Sequence, residues 1–270
     1  MDIEGIKLVC FSPTGTTKTV CQAIARGIDH SVVELVDITR PNARDQFIHV
    51  SKNELLIVAV PVYMGRVPGL LHEFLHGIKG INTPVVPVVV YGHRTYDNAL
   101  LELSDILKKT GCIPLGAGAF IGEHSFSSVD TPIAAARPDA NDIELAEEFG
   151  RKLKSKLESL ASIDAAENLT LPGSYPYGGV LDLWSVDFID ISDACRGQGV
   201  CADVCPVGAI DPEDTRKIDK EKCISCCACI KKCPEKARSI KASKVKDAAL
   251  RLSTLIACRQ KEPKKPQYFL

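Results

Sequence analysis

Short apolar runs alternate with amphipathic stretches over about the first 160 residues. The runs at 6–11, 32–36, 55–60, 85–91 and 113–120 predict five β-strands. Between them, apolar residues recur at the three- and four-residue spacing of a helix face. Val20, Ala23, Ile24, Gly27 and Ile28 form one such set, and Leu71, Phe74, Leu75 and Ile78 a second. Ala99, Leu100, Leu103, Ile106 and Leu107 form a third, and Leu145, Phe149, Leu153 and Leu157 close the region with a last helix. Near-continuous apolar strands separated by helices predict a doubly wound α/β domain, a five-stranded parallel sheet covered on both faces.

The pattern stops near residue 165. Residues 168–179 are rich in Pro, Gly and Tyr, which reads as a linker. Beyond it lies a repeat with an offset of 28 residues: Cys195, Cys201, Cys205 and Pro206 return as Cys223, Cys229, Cys233 and Pro234. A small unit duplicated with pseudo-twofold symmetry is expected. These patterns divide the chain into 1–165, a linker at 166–189, a cysteine module at 190–242 and a basic tail at 243–270.

Composition narrows the function classes. The 270 residues carry a net charge of only -1, which calls for neither nucleic acid nor an anionic membrane surface. From Lys244 to Leu270, however, seven Lys/Arg face two acids, Asp247 and Glu262. That excess suits docking on an acidic surface as well as it suits a solvated tail. No run approaches the roughly 18 apolar residues of a membrane span, and no signal-peptide pattern opens the chain. A cytoplasmic protein is expected. Of twelve cysteines, eight fall between Cys195 and Cys233, a crowding that reads as metal ligation rather than disulfides.

Cys223-x2-Cys226-x2-Cys229-x3-Cys233-Pro234 has the spacing of the bacterial ferredoxin run, whose close cysteines bind adjacent corners of a [4Fe–4S] cube. The fourth cysteine of such a run ligates the other cluster in two-cluster proteins. One cluster therefore takes Cys223, Cys226, Cys229 and Cys205, and the other takes Cys195, Cys201 and Cys233. The interlocked spacing, with proline after each fourth cysteine, favours iron–sulfur over a zinc site. The second cluster lacks a ligand, because the repeat sets Gln198 where Cys226 stands. It is a [3Fe–4S] cluster, a [4Fe–4S] cluster with a non-cysteine ligand, or one that recruits Cys227 or Cys258.

Directly after the first strand, Ser12-Pro13-Thr14-Gly15-Thr16-Thr17 leads into the first helix. Hydroxyls and backbone N–H groups at a helix N-terminus hold a phosphate without any cationic side chain. Two further loops leave the third and fourth strands: Pro61, Val62, Tyr63, Met64 and Gly65, and Tyr91, Gly92, His93, Arg94, Thr95, Tyr96, Asp97 and Asn98. In a doubly wound sheet these loops meet at one crevice, where aromatic and apolar groups suit a flavin ring.

With these residues in view, the chain resembles the flavodoxin–ferredoxin fusion family of anaerobic microbes. FSPTGTT, PVYMGRVP, VYGHRTYDNAL and the tandem cysteine runs carry the likeness over essentially the whole chain. It implies a flavodoxin-like domain binding FMN through residues 12–17, 61–66 and 91–98. A small α+β ferredoxin domain with two [4Fe–4S] clusters follows, and Gln198 departs from its pattern. The expected function is electron relay between FMN and the clusters, with a redox protein as donor or acceptor. The alternatives are a reductase, with Tyr63, Arg66, His93 and Arg94 around a small-molecule acceptor, and a redox sensor. No catalytic residues are identified.

Two other motifs are set aside. His72-Glu73-Phe74-Leu75-His76 spells the zinc-protease HExxH, but its apolar residues claim that helix for packing and no third ligand is evident. Gly116, Gly118 and Gly122 have the wrong spacing and setting for a dinucleotide fingerprint.

Overall fold

The computed structural model describes residues 1–179, 185–259 and 264–270, with backbone alone at 258 and 259. Five parallel strands form the centre: β1 (Gly5–Cys10), β2 (Val33–Asp37), β3 (Glu54–Pro61), β4 (Thr83–Tyr91) and β5 (Ala117–Ile121). Their spatial order is β2-β1-β3-β4-β5. This is the flavodoxin-like doubly wound order, which opens a crevice where β1 and β3 part.

The apolar runs bury both faces of β1, β3, β4 and β5, while β2, at the sheet edge, stays largely exposed. In β3, Leu56, Val58 and Val60 face one core while Leu55, Ile57 and Ala59 face the other. The first core lies beneath α2 (His72–Gly77) and α3 (Ala99–Lys109), the second beneath α1 (Thr16–Ile28) and α4 (Ala140–Ser159). The run read as one strand at 113–120 is split. Cys112–Pro114 pairs with the start of β4 and Ala117–Ile121 with its end, and the registers Thr83↔Cys112 and Val88↔Gly118 differ by one residue. The extra residue, a bulge at Leu115 and Gly116, leaves both pieces paired to β4.

The cysteine module has its own small core around Phe188, Ile189, Ile210, Val245 and several cysteines. Two short antiparallel strands, β6 (Ile189–Ile191) and β7 (Arg238–Ile240), frame it, and α5 (Val200–Asp203) and α6 (Ala228–Lys231) follow the two cysteine loops. The sequence repeat is also a backbone repeat. Gly197, Gly199 and Gly208 have φ of 67°, 79° and 60°, and their partners Ser225, Cys227 and Lys236 have φ of 53°, 57° and 49°.

The segment expected to be a basic tail is folded. It forms helix α7 (Lys244–Arg259) and strand β8 (Gln267–Phe269), which pairs antiparallel with β5 and makes the sheet mixed at that edge. Among the described residues, no helix is long and apolar enough to cross a membrane.

Helices α1 and α4 cross in close contact because both are glycine at the crossing. A Cβ at Gly27 would lie 2.0 Å from the Glu147 carbonyl oxygen, and one at Gly150 would lie 2.2 Å from that of Ile24. The obstacle in each case is backbone, so the helices must separate to admit a methyl group. Gly27→Ala is expected to destabilise the protein by about 3 kcal/mol, the scale of an overpacked core. Chemical denaturation checks this, and an unchanged midpoint would refute the close crossing.

Candidate functional site

An open cleft enclosing about 100 Å³ lies at the carboxyl ends of the strands. The phosphate-type loop contributes Pro13, Thr14, Thr16 and Thr17; the loop after β3 contributes Pro61, Val62, Tyr63 and Met64; and β4 ends there in Tyr91 and Gly92. Nine residues of the expected binding set thus line one cavity: Thr14, Thr16, Thr17, Pro61, Val62, Tyr63, Met64, Tyr91 and Gly92. Gly65 and Arg94 line a second cavity that opens into the first.

The loop geometry follows from local chemistry. Gly15 takes a left-handed φ of 103° as the residue before α1, which lets the chain turn from β1 into the helix. Ser12 supports the turn from beneath, its hydroxyl accepting from the Lys18 N–H at 3.0 Å and its own N–H donating to the Thr39 hydroxyl at 2.9 Å. The N–H groups of Thr16 and Thr17 have no protein acceptor among the described residues. They stand at the positive end of α1, the electrostatic requirement for an anion seat.

After β3, the Tyr63 and Arg66 N–H groups each donate to the other's carbonyl at 3.0 Å. Met64 and Gly65 between them have φ of 52° and 80°, the two positive values of a tight type I′ turn. A Cβ on Gly65 would stand 2.5 Å from an Asp97 carboxylate oxygen. The two loops are therefore fitted against each other.

Several expected residues brace the cleft without lining it. The Tyr96 hydroxyl donates to Gln267 at 2.6 Å and its ring meets Tyr91 edge-on at 5.4 Å. Asp97 accepts from Arg94 at 2.8 Å, and the Asn98 side-chain Oδ1 accepts from the Ser174 N–H at 2.9 Å, which pins the linker. Arg66, considered for an acceptor site, is occupied elsewhere. Its guanidinium binds Glu102 with two bonds of 2.8 and 2.7 Å and lies 5.2 Å from the Tyr177 ring centre. The HExxH motif is likewise structural: His72 faces Glu102 at 3.3 Å, and His76 bonds the His72 carbonyl at 2.7 Å.

The cleft also contains residues that loop-by-loop reading of the sequence missed. Gly122, Glu123, His124, Ser125 and Phe126 enter after β5, and Ile224 and Ser225 enter from the cysteine module. His124 accepts from the Phe126 N–H through Nδ1 at 3.0 Å, so its remaining proton sits on Nε2 in the neutral ring. Burial, reinforced by Lys231 and Arg94, lowers its pKa to about 4. Lys232 of the cysteine module reaches over the phosphate-type loop, its Nζ 3.5 Å from where a Cβ on Gly15 would stand. It has no carboxylate partner among the described residues, whereas Lys18 is paired with Asp37 at 3.1 Å.

Ile224, Lys231 and Lys232 stand where the first copy has Arg196, Asp203 and Val204. At these three positions the second copy meets the sheet domain. Ile224 packs on the core beneath α2 and α3, and Phe126 packs in return on the cysteine module's core. Lys231 donates to Glu123 at 2.7 Å and to the Ser127 carbonyl at 2.8 Å, while Arg44 donates to the Pro206 carbonyl at 2.6 Å.

The seven expected ligand cysteines lie within this module. The Ala209 N–H donates to Cys205 Sγ at 3.2 Å, and its repeat partner Ala237 donates to Cys233 Sγ at 3.3 Å. Burial pushes the Cys229 thiol up to about 12 despite the nearby Arg238 guanidinium, and burial raises Cys223 and Cys226 as well. Desolvated thiols of this kind ionise only against a strong cation such as iron, and the N–H bonds then help to hold the thiolates. Arg238 is 4% exposed, and one of its terminal nitrogens, Nη1, is buried without a partner among the described residues. An orphaned cationic donor beside these sulfurs fits an anionic cluster. No three His, Cys, Asp or Glu side chains among the described residues converge on a single-ion site. Cluster thiolates surround a cube and need not converge in that way.

Gln198 is exposed and donates to Glu235 at 3.2 Å. Cys227 is buried, with its sulfur 3.7 Å from the Ser225 carbonyl. The side chain of Cys258 lies outside the described residues.

Residues 216–239 match the family described as 4Fe-4S binding domain. Among solved structures, the chain is similar to a flavodoxin from the domain Archaea, at 13% identity over 57% of this chain and 98% of that one, with a TM-score of 0.40. It is similar to the Streptococcus pneumonia TIGR4 flavodoxin at 20% identity, over 56% and 98% of the two chains, with a TM-score of 0.39. For Flavodoxin 1 from Bacillus cereus the identity is 13%, the coverage 58% and 100%, and the TM-score 0.39. No curated protein matches. The strand order and the 4Fe-4S match define the class: a flavodoxin-like α/β module joined to a ferredoxin-type module, of the electron-transfer type.

Proposed function

We propose that the chain binds FMN in the cleft and relays single electrons between it and two iron–sulfur clusters in the cysteine module. The observation that carries this reading is that Ile224 and Ser225, between ligand cysteines 223 and 226, line the same cleft as Thr14, Thr16, Thr17 and Tyr63. The Tyr63 hydroxyl is raised well above its usual pKa, first by burial and then by Cys226 and Cys227. Cofactors seated in these two places would be neighbours, and electron transfer falls steeply with distance.

Bound FMN supplies both one- and two-electron chemistry. The chain's own residues provide the seat. Thr16 and Thr17 offer N–H groups to the phosphate, and Lys232 adds a cation from the other module. Tyr63 stays a neutral phenol, and Phe126 and Ile224 exclude water between the two sites. Cys223, Cys226, Cys229 and Cys205 would hold the cluster beside the flavin. Cys195, Cys201 and Cys233 would hold the second, whose loop bears the exposed Arg196 and Gln198 and faces solvent. This gives the relay an order: flavin, fully ligated cluster, solvent-facing cluster, redox protein partner.

Anaerobic reconstitution followed by stopped-flow reduction with a reduced ferredoxin tests the relay. Flavin bleaching should follow cluster reduction in the intact protein and slow by about tenfold or more in Cys226→Ala, a barrier change of about 1.4 kcal/mol. Equal flavin reduction rates in the two proteins would sink the relay.

The phosphate seat has its own check. Lys232→Gln should weaken FMN by about tenfold, the scale of a lost charge-assisted bond, and leave riboflavin, which lacks the phosphate, unchanged. Fluorescence titration with both ligands measures this. A loss shared by both would place Lys232 away from the phosphate.

At the first cysteine loop, Gln198→Cys should convert three-cysteine ligation to four. The backbone around residue 198 repeats that around Cys226, with left-handed residues on both sides. EPR after mild oxidation should show a [3Fe–4S] signal in the parent that the variant suppresses. Two equally robust four-iron clusters in the parent, with Cys227→Ser or Cys258→Ser losing one, would instead mean that a nearby cysteine is recruited.

A further inference from the structure

The buried carboxylates of this fold are matched on the spot: Glu102 is held by Arg66 and Asp142 by Arg137, each through two bonds. Arg238 is different. It is the one Lys or Arg side chain buried among the described residues, and it bonds no carboxylate there. Its Nη2 donates to the Thr215 carbonyl, while Nη1 is sealed from solvent without an acceptor. A buried, unpaired guanidinium is strongly destabilising, so the position calls for an anion that the side chains around it do not supply.

The repeat indicates which anion. In the first copy Ile210 stands at the corresponding place, and it walls the cavity enclosed by Cys205, Cys223, Cys226 and Cys229. One residue earlier, Ala209 donates its N–H to Cys205 Sγ, and Ala237 does the same to Cys233 Sγ in the second copy. Two residues before these positions Gly208 and Lys236 are both left-handed, at φ of 60° and 49°. The backbone therefore repeats, and by the same geometry Arg238 stands at the wall of the site expected for Cys195, Cys201 and Cys233. It is not among the residues that line the four-cysteine cavity. Burial raises the Cys229 thiol and Arg238 lowers it, so the guanidinium reaches toward the boundary between the two ligand sets. The exposed and half-buried cations nearby leave no charge over: Lys231 is balanced by Glu123 at 2.7 Å, and Arg196 lies 3.8 Å from Glu235.

We propose that Arg238 is the buried counter-cation of the three-cysteine cluster and sets its reduction potential above that of the four-cysteine cluster. The inference rests on the two-cluster reading and adds the direction in which the relay is biased. Reduction by a single electron from the redox partner adds one negative charge at the cluster, and a desolvated cation at its wall favours that state. One thiolate fewer acts in the same sense. Ile210 offers the four-cysteine site no such charge. Between the two clusters the electron therefore rests on the solvent-facing one, where a partner collects it, and moves inward toward the flavin only against that bias.

The test is an EPR-monitored redox titration of the anaerobically reconstituted full chain, with Cys201→Ala used to identify the signal of the three-cysteine site. Two midpoints are expected, the higher belonging to that site. Arg238→Met keeps the length of the side chain and loses its charge. It should disfavour reduction there by about tenfold, a fall of about 59 mV, and move the other midpoint by less. Arg238→Lys should keep most of the parent value. The Gln198→Cys background gives both sites four thiolates, so the same order of midpoints there separates the cation from the ligand count. An unmoved midpoint in Arg238→Met, or a larger fall at the four-cysteine site, would overturn the proposal. So would equal midpoints in Gln198→Cys, a comparison that does not depend on any Arg238 variant folding. Iron and sulfide analysis precedes the titration. A chain that takes up one cluster only rejects the two-cluster reading, whereas two loaded clusters without an Arg238 effect reject this inference alone.

Discussion

The reciprocal packing of two partly buried apolar side chains, Ile224 against the sheet domain's core and Phe126 against the cysteine module's core, joins the two modules at the cleft. Each residue lies in a loop that also lines the cleft, so packing it sets the distance between the loops after β1 and β3 and the cysteine loop. The Lys231 bonds to Glu123 and Ser127 add direction to a contact that apolar burial alone would leave free to slide. Partial exposure keeps that ion pair's share of the stability modest, and the apolar pair carries most of the rest.

From this contact the electrostatics of the cleft follow. Docking α6 on the loop after β5 brings Lys231 near His124, where it adds to burial in keeping the imidazole neutral. It also carries Lys232 to the phosphate-type loop. A short fold of the flavodoxin type holds a phosphate with N–H groups alone. Here a second module brings a cation to that loop.

The sheet was legible because its residues have no choice: strands buried on both faces read as unbroken apolar runs, and their helices keep a 3.6-residue period. The cysteine module was legible because cluster ligation dictates spacing. What stayed hidden depends on partners distant in sequence. Tyr96 and Asn98 look like cleft residues in a loop, yet they brace Gln267 and the linker. Gln267–Phe269 is too short to announce itself as a strand and becomes one only because β5 offers an open edge. Arg66 reads as a cation of an acceptor site until Glu102, buried in α3, claims it. The contact residues Ile224 and Lys231 were not legible, since the two copies of the repeat agree only at their cysteines, the proline and one alanine.

The pairing of β8 with β5 makes the connectivity of the chain differ from that of beads on a string. The cysteine module is threaded between the first strands of a sheet and its last, so the sheet's β5 edge stays unpaired until the residues that follow the cysteine loops have been made. An unpaired edge of apolar residues such as Ala117, Ala119 and Ile121 is a template for adding strands from other chains. Cutting the protein at its linker would therefore yield not a smaller flavodoxin but one with an adhesive border, and the cysteine module is in effect the insert that a self-closing sheet carries.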